Sequence, residues 1–576
     1  MALQCGSGAG RTNGPIEQIC AAGLWVLLAS GCAPGVDTGP FTPAGRTAAA
    51  TITTERLTTH IRVLSADEFE GRGPASNGDR RTRRYLADQL ETMGYRPAAD
   101  DGTWEQAFDI VSITATVPET WTFTTDAASR GFARWDDFVA ASGVQDVAAT
   151  IDDAEVVFVG YGIEAPEYDW NDFKGRDVQG KVLLMLNNDP DWDPALFEGD
   201  RRLYYGRWDY KYESAARHGA AGVIIIHTPP SAGYPWQVVQ NGWTGEQFAL
   251  PDVGGPRIQV EAWMTEDAAA ELVALAGLDL GDLVAAARSR AFVPVPLGVT
   301  TSLRLRNEMS TVSTANVLGI LPGADPELKD EVVVYTAHHD HIGIGEPDDT
   351  GDRIYNGARD NASGVAQVLE IAGAFRSMPT PPRRSILILF VAAEEQGLLG
   401  SQFYADNPTF PPGRIAANVN IDGGNVWGRA RDIQDIAFGK SSLDGVAQRV
   451  AERQGRITTP DQFPDKGYYY RSDQFNFAKI GVPAMYFKEG IDFVDRPSSW
   501  GRAQVDEYYA VRYHQPSDEM TDDWNLDGMA EDAQLAFWAG LLVANADEMP
   551  TWTPGNEFEA ARKAAIALLA TQPSEN

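Results

Sequence analysis

The chain has 576 residues, 43% of them hydrophobic, enough for a sizeable core and two or three domains. Its 81 acidic and 47 basic residues leave a net charge of −34 at pH 7, spread along the chain rather than gathered in a block. Such a surface repels phosphate backbones and anionic headgroups, so nucleic acid is not an expected partner. All three cysteines, Cys5, Cys20 and Cys32, lie at the start of the chain, which excludes a disulfide framework for the rest of it.

Taken in order, residues 1–32 read as a targeting segment. The apolar run from Ile19 to Leu28 is too short for a membrane span and has signal-peptide length. It leads into Ala29-Ser30-Gly31-Cys32, which resembles a bacterial lipoprotein processing site. Cleavage before Cys32 would leave one cysteine for diacylation, with residues 33–50, rich in Pro, Gly, Thr and Ala, as a tether. The expectation is an exported protein, in the periplasm or outer membrane as a lipoprotein or else secreted, that meets a membrane only through Cys32. A helix is predicted across Arg80 to Met93, ending at Gly94.

Further on, Val332 to Ala337 is a continuous apolar run with β-branched residues, the mark of a strand buried on both faces. Val365, Val368, Leu369, Ala372 and Phe375 have the spacing of a helix that packs one stripe on a sheet. Ile386 to Val391 predicts a second strand, the stretch from Ala416 to Ile421 a third, and Glu557 to Leu569 a final helix. Strands alternating with helices predict an α/β fold with a mostly parallel mixed sheet and right-handed crossovers. Gly439-Lys440-Ser441 suggests a phosphate loop, but Gln434 stands where its first glycine is required, so that reading fails.

Chemistry-bearing residues gather where the apolar runs end: His338, Asp360, Glu394, Glu395 and Asp422, joined by His514. Open α/β sheets build their sites beyond the carboxyl ends of the strands. Imidazole and carboxylate are good zinc ligands. Five ligands exceed what one open catalytic zinc takes, whereas two ions are served if Asp360 bridges, each then having three protein ligands. A carboxylate beside the cluster can act as base, and the neighbours Glu394 and Glu395 provide one base and one ligand. Asp340 is placed to accept the other ring N–H of His338 and fix its tautomer. His339 and His341 are expected to pack around the site, and His60, His218 and His227 to be structural. The aromatics Trp192, Tyr204, Tyr205, Trp208, Tyr210 and Tyr212 are expected to pack within their own domain.

These stretches resemble the co-catalytic zinc aminopeptidases, metallopeptidase family twenty-eight, which also holds glutamate carboxypeptidase, glutaminyl cyclase and the transferrin receptor. The likeness rests on Thr336 to His341, Gly357 to Gly364, Ala393 to Leu398, Asn420 to Asp422 and Tyr513 to Asp518. It implies that His338 and Asp422 hold one Zn2+, Glu395 and His514 the other, with Asp360 bridging and Glu394 as general acid/base. Cobalt or manganese would also suit such donors. The segment Tyr469-Tyr470-Arg471-Ser472-Asp473 resembles the family stretch whose tyrosine steadies the oxyanion, which points to Tyr469. Gln474 stands where many relatives carry His, and Arg359 where many carry Asp; both bear on specificity. Leu64 to Arg72 resembles the start of the same domain. Val156 to Gly162, Val178 to Leu184 and His218 to Ile224 resemble an inserted protease-associated domain. The implied layout is 51–115 for the first part of the peptidase domain, 116–305 for the insertion, 306–548 for the catalytic part and 549–576 for a helical tail. The implied function is a zinc exopeptidase acting on peptides or proteins through a metal-activated water, first of all an aminopeptidase. A carboxypeptidase or dipeptidase, a one-zinc glutaminyl cyclase and a non-catalytic interaction module are the alternatives, the last opposed by the intact ligand set.

Overall fold

The computed structural model describes residues 41–194 and 196–571; the three cysteines and the expected targeting segment lie outside them. Among the described residues no helix is long and apolar enough to cross a membrane. Pro43–Ala49, expected to finish the tether, instead forms a helix (α1) with Ala48 and Ala49 buried. Its small residues permit this: a Cβ on Gly45 would stand 2.4 Å from the Trp538 ring. Next come α2 (Thr54–Leu64) and α3 (Asn77–Met93). The Ser76 side chain accepts from the Asp79 amide at the start of α3, and Gly94 ends it at φ +83, a conformation that disfavours a Cβ.

Two long strands follow, β1 (Glu105–Thr116) and β2 (Val295–Leu321). The residues between them carry a parallel ladder of Ala148–Phe158, Val182–Leu186, Gly222–His227 and Val260–Thr265, with Phe138–Ser142 antiparallel at one side. That ladder has its own core, in which Val157, Leu183, Met185, Val223, Ile225 and Trp263 pack together. The 27 residues of β2 form a seam. Its first half pairs with Ala148–Phe158, its second with β1, and its end with the catalytic sheet. The boundary expected between residues 305 and 306 therefore falls inside one continuous strand.

The catalytic sheet is built from β3 (Val332–His338), β4 (Ser385–Val391), β5 (Ile415–Asn420), β6 (Asp432–Asp435), β7 (Ile457–Pro460) and β8 (Ala484–Glu489). Across the sheet the order is β2, β4, β3, β5, β8, β6, β7. Strands β4, β3, β5 and β8 are mutually parallel, and β2 closes one side antiparallel. Every residue of β3, β4 and β5 is buried; the apolar runs of β3 and β4 require this, and in β5 the buried Asn418 donates to Thr336 and Asn420 to Ser472 and Gln474. Each buried Val, Leu or Ile there contributes about 1.5–3 kcal/mol relative to exposure. Helices α4 (Ser363–Ser377) and α6 (Asp527–Asn545) cover the sheet together, while α5 (Trp500–Val511) flanks the site and α7 (Glu559–Thr571) follows them. From β3 the chain moves to one side for β4 and to the other for β5. A crevice opens at such a reversal of strand order, beyond the carboxyl ends.

Candidate metal centre

Each expected ligand reaches that crevice from a different connection. His338 is the last residue of β3, in register with Val391 of β4. After β4 the backbone turns through Ala393 at φ +55 and presents Glu394 and Glu395. Asp422 stands two residues past β5. Asp360 lies in the turn that leads into α4, in a non-helical conformation. His514 follows α5 and is itself left-handed at φ +57. Left-handed Ala and His residues are uncommon, and such positions concentrate at functional sites.

Two three-residue sets result. His338 Nε2 is 3.2 Å from Asp360 Oδ1 and 3.5 Å from Asp422 Oδ1. His514 Nε2 is 3.5 Å from Asp360 Oδ2 and 2.9 Å from Glu395 Oε2. The two oxygens of Asp360 thus serve different sets. Both Nε2 atoms are buried, yet neither makes a well-aligned hydrogen bond. Ring nitrogens and carboxylate oxygens that converge without bonding one another are the donor set a pair of divalent cations requires, so the residues present fit two zinc ions.

The electrostatics agree. Burial would discharge His514, but the Glu395 and Asp360 carboxylates outweigh it and hold the imidazole up at about 10. Burial likewise opposes ionisation of Glu395, yet His514 and His341 draw its carboxyl down to about 2. Glu394 moves the other way: burial raises it well above the usual carboxylate range, with Glu395 and Asp422 adding to the effect against His338. Neighbouring carboxylates pushed in opposite directions are how one site obtains a ligand and a proton acceptor.

The surrounding shell holds these groups in place. The Asp340 carboxylate accepts from the amides of Glu394 at 3.0 Å and Glu395 at 3.3 Å. Its Oδ1 is 3.8 Å from His338 Nδ1, too far for the expected hydrogen bond; that nitrogen faces the Asp340 main-chain carbonyl at 3.3 Å. Asp340 therefore supports the site by fixing the glutamate loop rather than by fixing the imidazole with its side chain. His341 donates from Nδ1 to Glu395 Oε1 at 2.6 Å. Asp518 accepts from the Asp360 amide at 3.0 Å and from the Tyr508 hydroxyl at 3.2 Å. Asn361 joins two ligand loops, its Oδ1 accepting from Gly423 N and its Nδ2 donating to Ile421 O. The buried Arg72 donates to the carbonyls of Leu64, His339, Asn356 and Gly357, which gives the Leu64–Arg72 stretch its function. His339 lies outside the ligand set, as expected, facing Ala315 O at 3.2 Å and held down to about 3 by burial.

The crevice opens into a cleft of about 480 Å³ lined by Asp360, Glu394, Asp422 and Gly423, by the tyrosines 468, 486, 508, 509 and 513, and by Arg359, Arg471 and Lys488. Tyr469 is not in this wall. Tyr468–Tyr470 is a 3-10 turn, which points successive side chains about 120° apart. Tyr468 takes the cleft, while Tyr469 lies 6.2 Å from the Phe558 ring and 4.5 Å under Lys440 Nζ. The structure thus places Tyr468, rather than the Tyr469 that the resemblance pointed to, in the cleft wall; both hydroxyls are buried without a well-aligned hydrogen bond, and that of Tyr468 faces Tyr509. Gln474 holds this segment, donating to Tyr469 O at 2.6 Å while its Oε1 accepts from Asn420 at 2.8 Å. Arg359 is sandwiched between the Trp427 and Tyr508 rings and paired with Glu489 at 2.7 Å.

The aromatics between β1 and β2 divide. Trp208 and Tyr212 pack on Trp243 within their own core, as expected. Tyr204 instead stacks against Phe475 and Tyr470, and Tyr234 receives Arg471 over its ring at 5.6 Å. Sequence reasoning missed Tyr468, Asp518, Asn361, Arg471 and Lys488. The available signal was that Asp518, Asn361 and Arg471 lie inside stretches already singled out.

Comparison with known proteins bears on the family and the fold. Residues 316–538 match Peptidase family M28. The chain is 26% identical over 271 residues to leupeptin-inactivating enzyme 1 of Streptomyces exfoliatus, covering 46% of this chain and 55% of that protein. It is 26% identical over 212 residues to aminopeptidase YwaD of Bacillus subtilis strain 168, covering 36% and 40%. The matches thus span about half the length of these relatives or less. Its fold is similar to that of the aminopeptidase from Aneurinibacillus sp. strain AM-1, at a TM-score of 0.51 and 19% identity over 86% of this chain and 95% of that one. The family match is carried by residues 316–538, the stretch that holds His338, Asp360, Glu394, Glu395, Asp422 and His514.

Proposed function

We propose that the protein is a two-zinc exopeptidase that releases residues from the amino end of peptides. The observation that carries the reading is Asp360, whose two oxygens lie 3.2 and 3.5 Å from imidazoles that have no other well-aligned partner. His338, Asp422 and Asp360 would hold one ion, and His514, Glu395 and Asp360 the other. Such ions supply Lewis acidity toward a carbonyl oxygen and lower the pKa of water. The chain's own residues do the rest. Glu394, in the cleft wall with its carboxyl raised by burial, takes the proton of the attacking water and passes it to the leaving amine. Tyr468, in the cleft wall, offers its hydroxyl to the oxygen that gains charge. The tyrosine walls exclude bulk water around both.

The choice of the amino end is supported by the names of the relatives, among them an aminopeptidase. The residues between β1 and β2, which resemble a protease-associated domain, supply Tyr234 beside the cleft and so take part in shaping it. Export, with lipid attachment at Cys32, belongs to the same proposal and is checked by mass spectrometry of that residue in the native host.

The test uses peptides with free or blocked ends. Blocking the amine should abolish cleavage and blocking the carboxyl should not; the reverse pattern would establish the carboxypeptidase alternative. Loss of ammonia from amino-terminal glutamine without release of amino acids would mark a glutaminyl cyclase. Glu394→Gln should lower kcat by about 10²–10⁴-fold with zinc content unchanged; undiminished hydrolysis would remove Glu394 from its assigned part.

A further inference from the structure

Three cations face the cleft, and one of them is neutralised: Arg359, by Glu489 at 2.7 Å. The other two are not. Lys488 Nζ lies 3.1 Å from the Tyr486 hydroxyl and 3.4 Å from the main-chain carbonyl of Asp422. Arg471 reaches only the Tyr513 hydroxyl, at 3.5 Å, and stands over the rings of Tyr234 and Tyr468. Among the described residues neither has a carboxylate within ion-pairing distance. Both are part-buried, in a chain that carries 81 acidic residues. A cation withdrawn from water beside aromatic faces regains less from the rings than a charge-assisted hydrogen bond to a carboxylate returns. Asp422 acts on Lys488 only at longer range, through space and through Tyr486, so neither cation is ion-paired, and two such cations in a substrate cleft mark the place of an anion that arrives from outside.

The two share a neighbour. Lys488 Nζ is 4.9 Å and Arg471 Cζ 5.8 Å from the centroid of the Tyr468 ring. An anion seated beside that ring meets an ammonium on one side and a planar guanidinium, suited to two-point binding of a carboxylate, on the other. Lys488 also contacts the Asp422 main chain, so this seat adjoins the candidate metal centre rather than lying remote from it.

We infer that Lys488 and Arg471 seat a carboxylate of the substrate, so that the enzyme selects peptides bearing a carboxylate close to the scissile bond. The inference rests on the peptidase reading of the same cleft. Its carboxylate can come from the free carboxyl end of a short peptide or from an acidic side chain.

Binding to the zinc-loaded Glu394→Gln protein, followed by calorimetry, separates these sources and does not depend on turnover. The probes are Ala-Ala against Ala-Ala amide, and Ala-Glu amide against Ala-Gln amide. In at least one pair the carboxylate member should bind about ten- to a hundredfold tighter. Discrimination in the first pair identifies the carboxyl terminus, and in the second an acidic side chain. Adding Lys488→Met or Arg471→Met should erase the difference while neutral peptides bind as before, and Arg471→Lys should keep part of it. Equal binding within both pairs, binding of none of the four, or a difference that survives both Met variants overturns the inference. The comparison among the four probes needs only Glu394→Gln, whose zinc content reports that its cleft is folded, so a misfolded Met variant leaves it decisive. Hydrolysis of Ala-Ala amide by the unaltered chain is the separate measure: its absence, with the binding preference intact, would remove the peptidase reading and leave the carboxylate seat standing.

Discussion

Replacing His341 by alanine should weaken one of the two ions selectively. The ring is fully buried and its Nδ1 donates to Glu395 Oε1 at 2.6 Å, while Glu395 Oε2 faces His514. Without the imidazole, one oxygen of a buried carboxylate loses its donor and the side chain is free to swing. A hydrogen bond to a charged group contributes about 1.5–3 kcal/mol, which converts to ten- to a hundredfold in affinity. Loss of groups that orient a metal ligand falls in the same range. The other set is less affected: among the described residues His341 makes no hydrogen bond to His338 or Asp422 and acts on the shared Asp360 only electrostatically. Zinc titration against chelators of graded affinity, at constant pH, should therefore resolve two steps in His341→Ala where the parent shows tighter uptake of the second ion. His341→Gln, which keeps a donor, should recover part of the loss. Equal weakening of both ions would mean general destabilisation, and unchanged affinity for both would refute the reasoning outright.

Tyr468→Phe should lower kcat by about 10²-fold with little change in KM, and Tyr469→Phe should leave kcat within a small factor, as steady-state kinetics would read. The opposite ranking would restore Tyr469 as the oxyanion partner. Asp435 tests the pH dependence of stability away from the cleft. Burial, with Asp444 adding to it, pushes this carboxyl up to about 7 from its ordinary 3.8, against the Ala437 amide that bonds it. The folded protein holds a proton that the unfolded chain releases, so this stabilisation is complete below about pH 4 and is lost as pH rises to about 7. The loss is at most about 4 kcal/mol. In denaturant melts, Asp435→Asn should gain on the parent across that window and level off above it; parallel curves would contradict the assignment.

Strands β3 and β4 were legible because parallel strands buried on both faces read as unbroken apolar runs, and their ends mark where a site forms; β5, interrupted by Asn418 and Asn420, carried a weaker signal. The candidate ligands His338, Glu395 and Asp422 follow from that rule and from their residue types, whereas Asp360, before α4, and His514, after α5, stand away from strand ends. Helix α3 was legible through Gly94, whose left-handed conformation stops it. The extent of β2 was not. Its buried alternation through Leu297, Val299, Leu303 and Leu305 gives way to mostly exposed residues from Arg306 to Ser313, which read as a connection. The strand continues there because β1 supplies backbone partners, and backbone pairing has no signature in the side chains. The choice between Tyr468 and Tyr469 depends on the phase of a 3-10 turn, which three identical residues conceal. Helix α1 has a tether's composition but is held by Trp538, nearly 500 residues away along the chain. Lys488 and Arg471 acquire meaning only from the absence of acidic neighbours in space, and no sequence pattern reports an absence.

The most direct test of the central claim is zinc content measured beside hydrolysis for the parent, Glu394→Gln and Asp360→Ala. The account predicts two zinc ions per chain with activity in the parent, two without activity in Glu394→Gln, and loss of bound zinc together with activity in Asp360→Ala. A parent that hydrolyses peptides at full rate with no more than one ion, or an Asp360→Ala protein that keeps both, would contradict it.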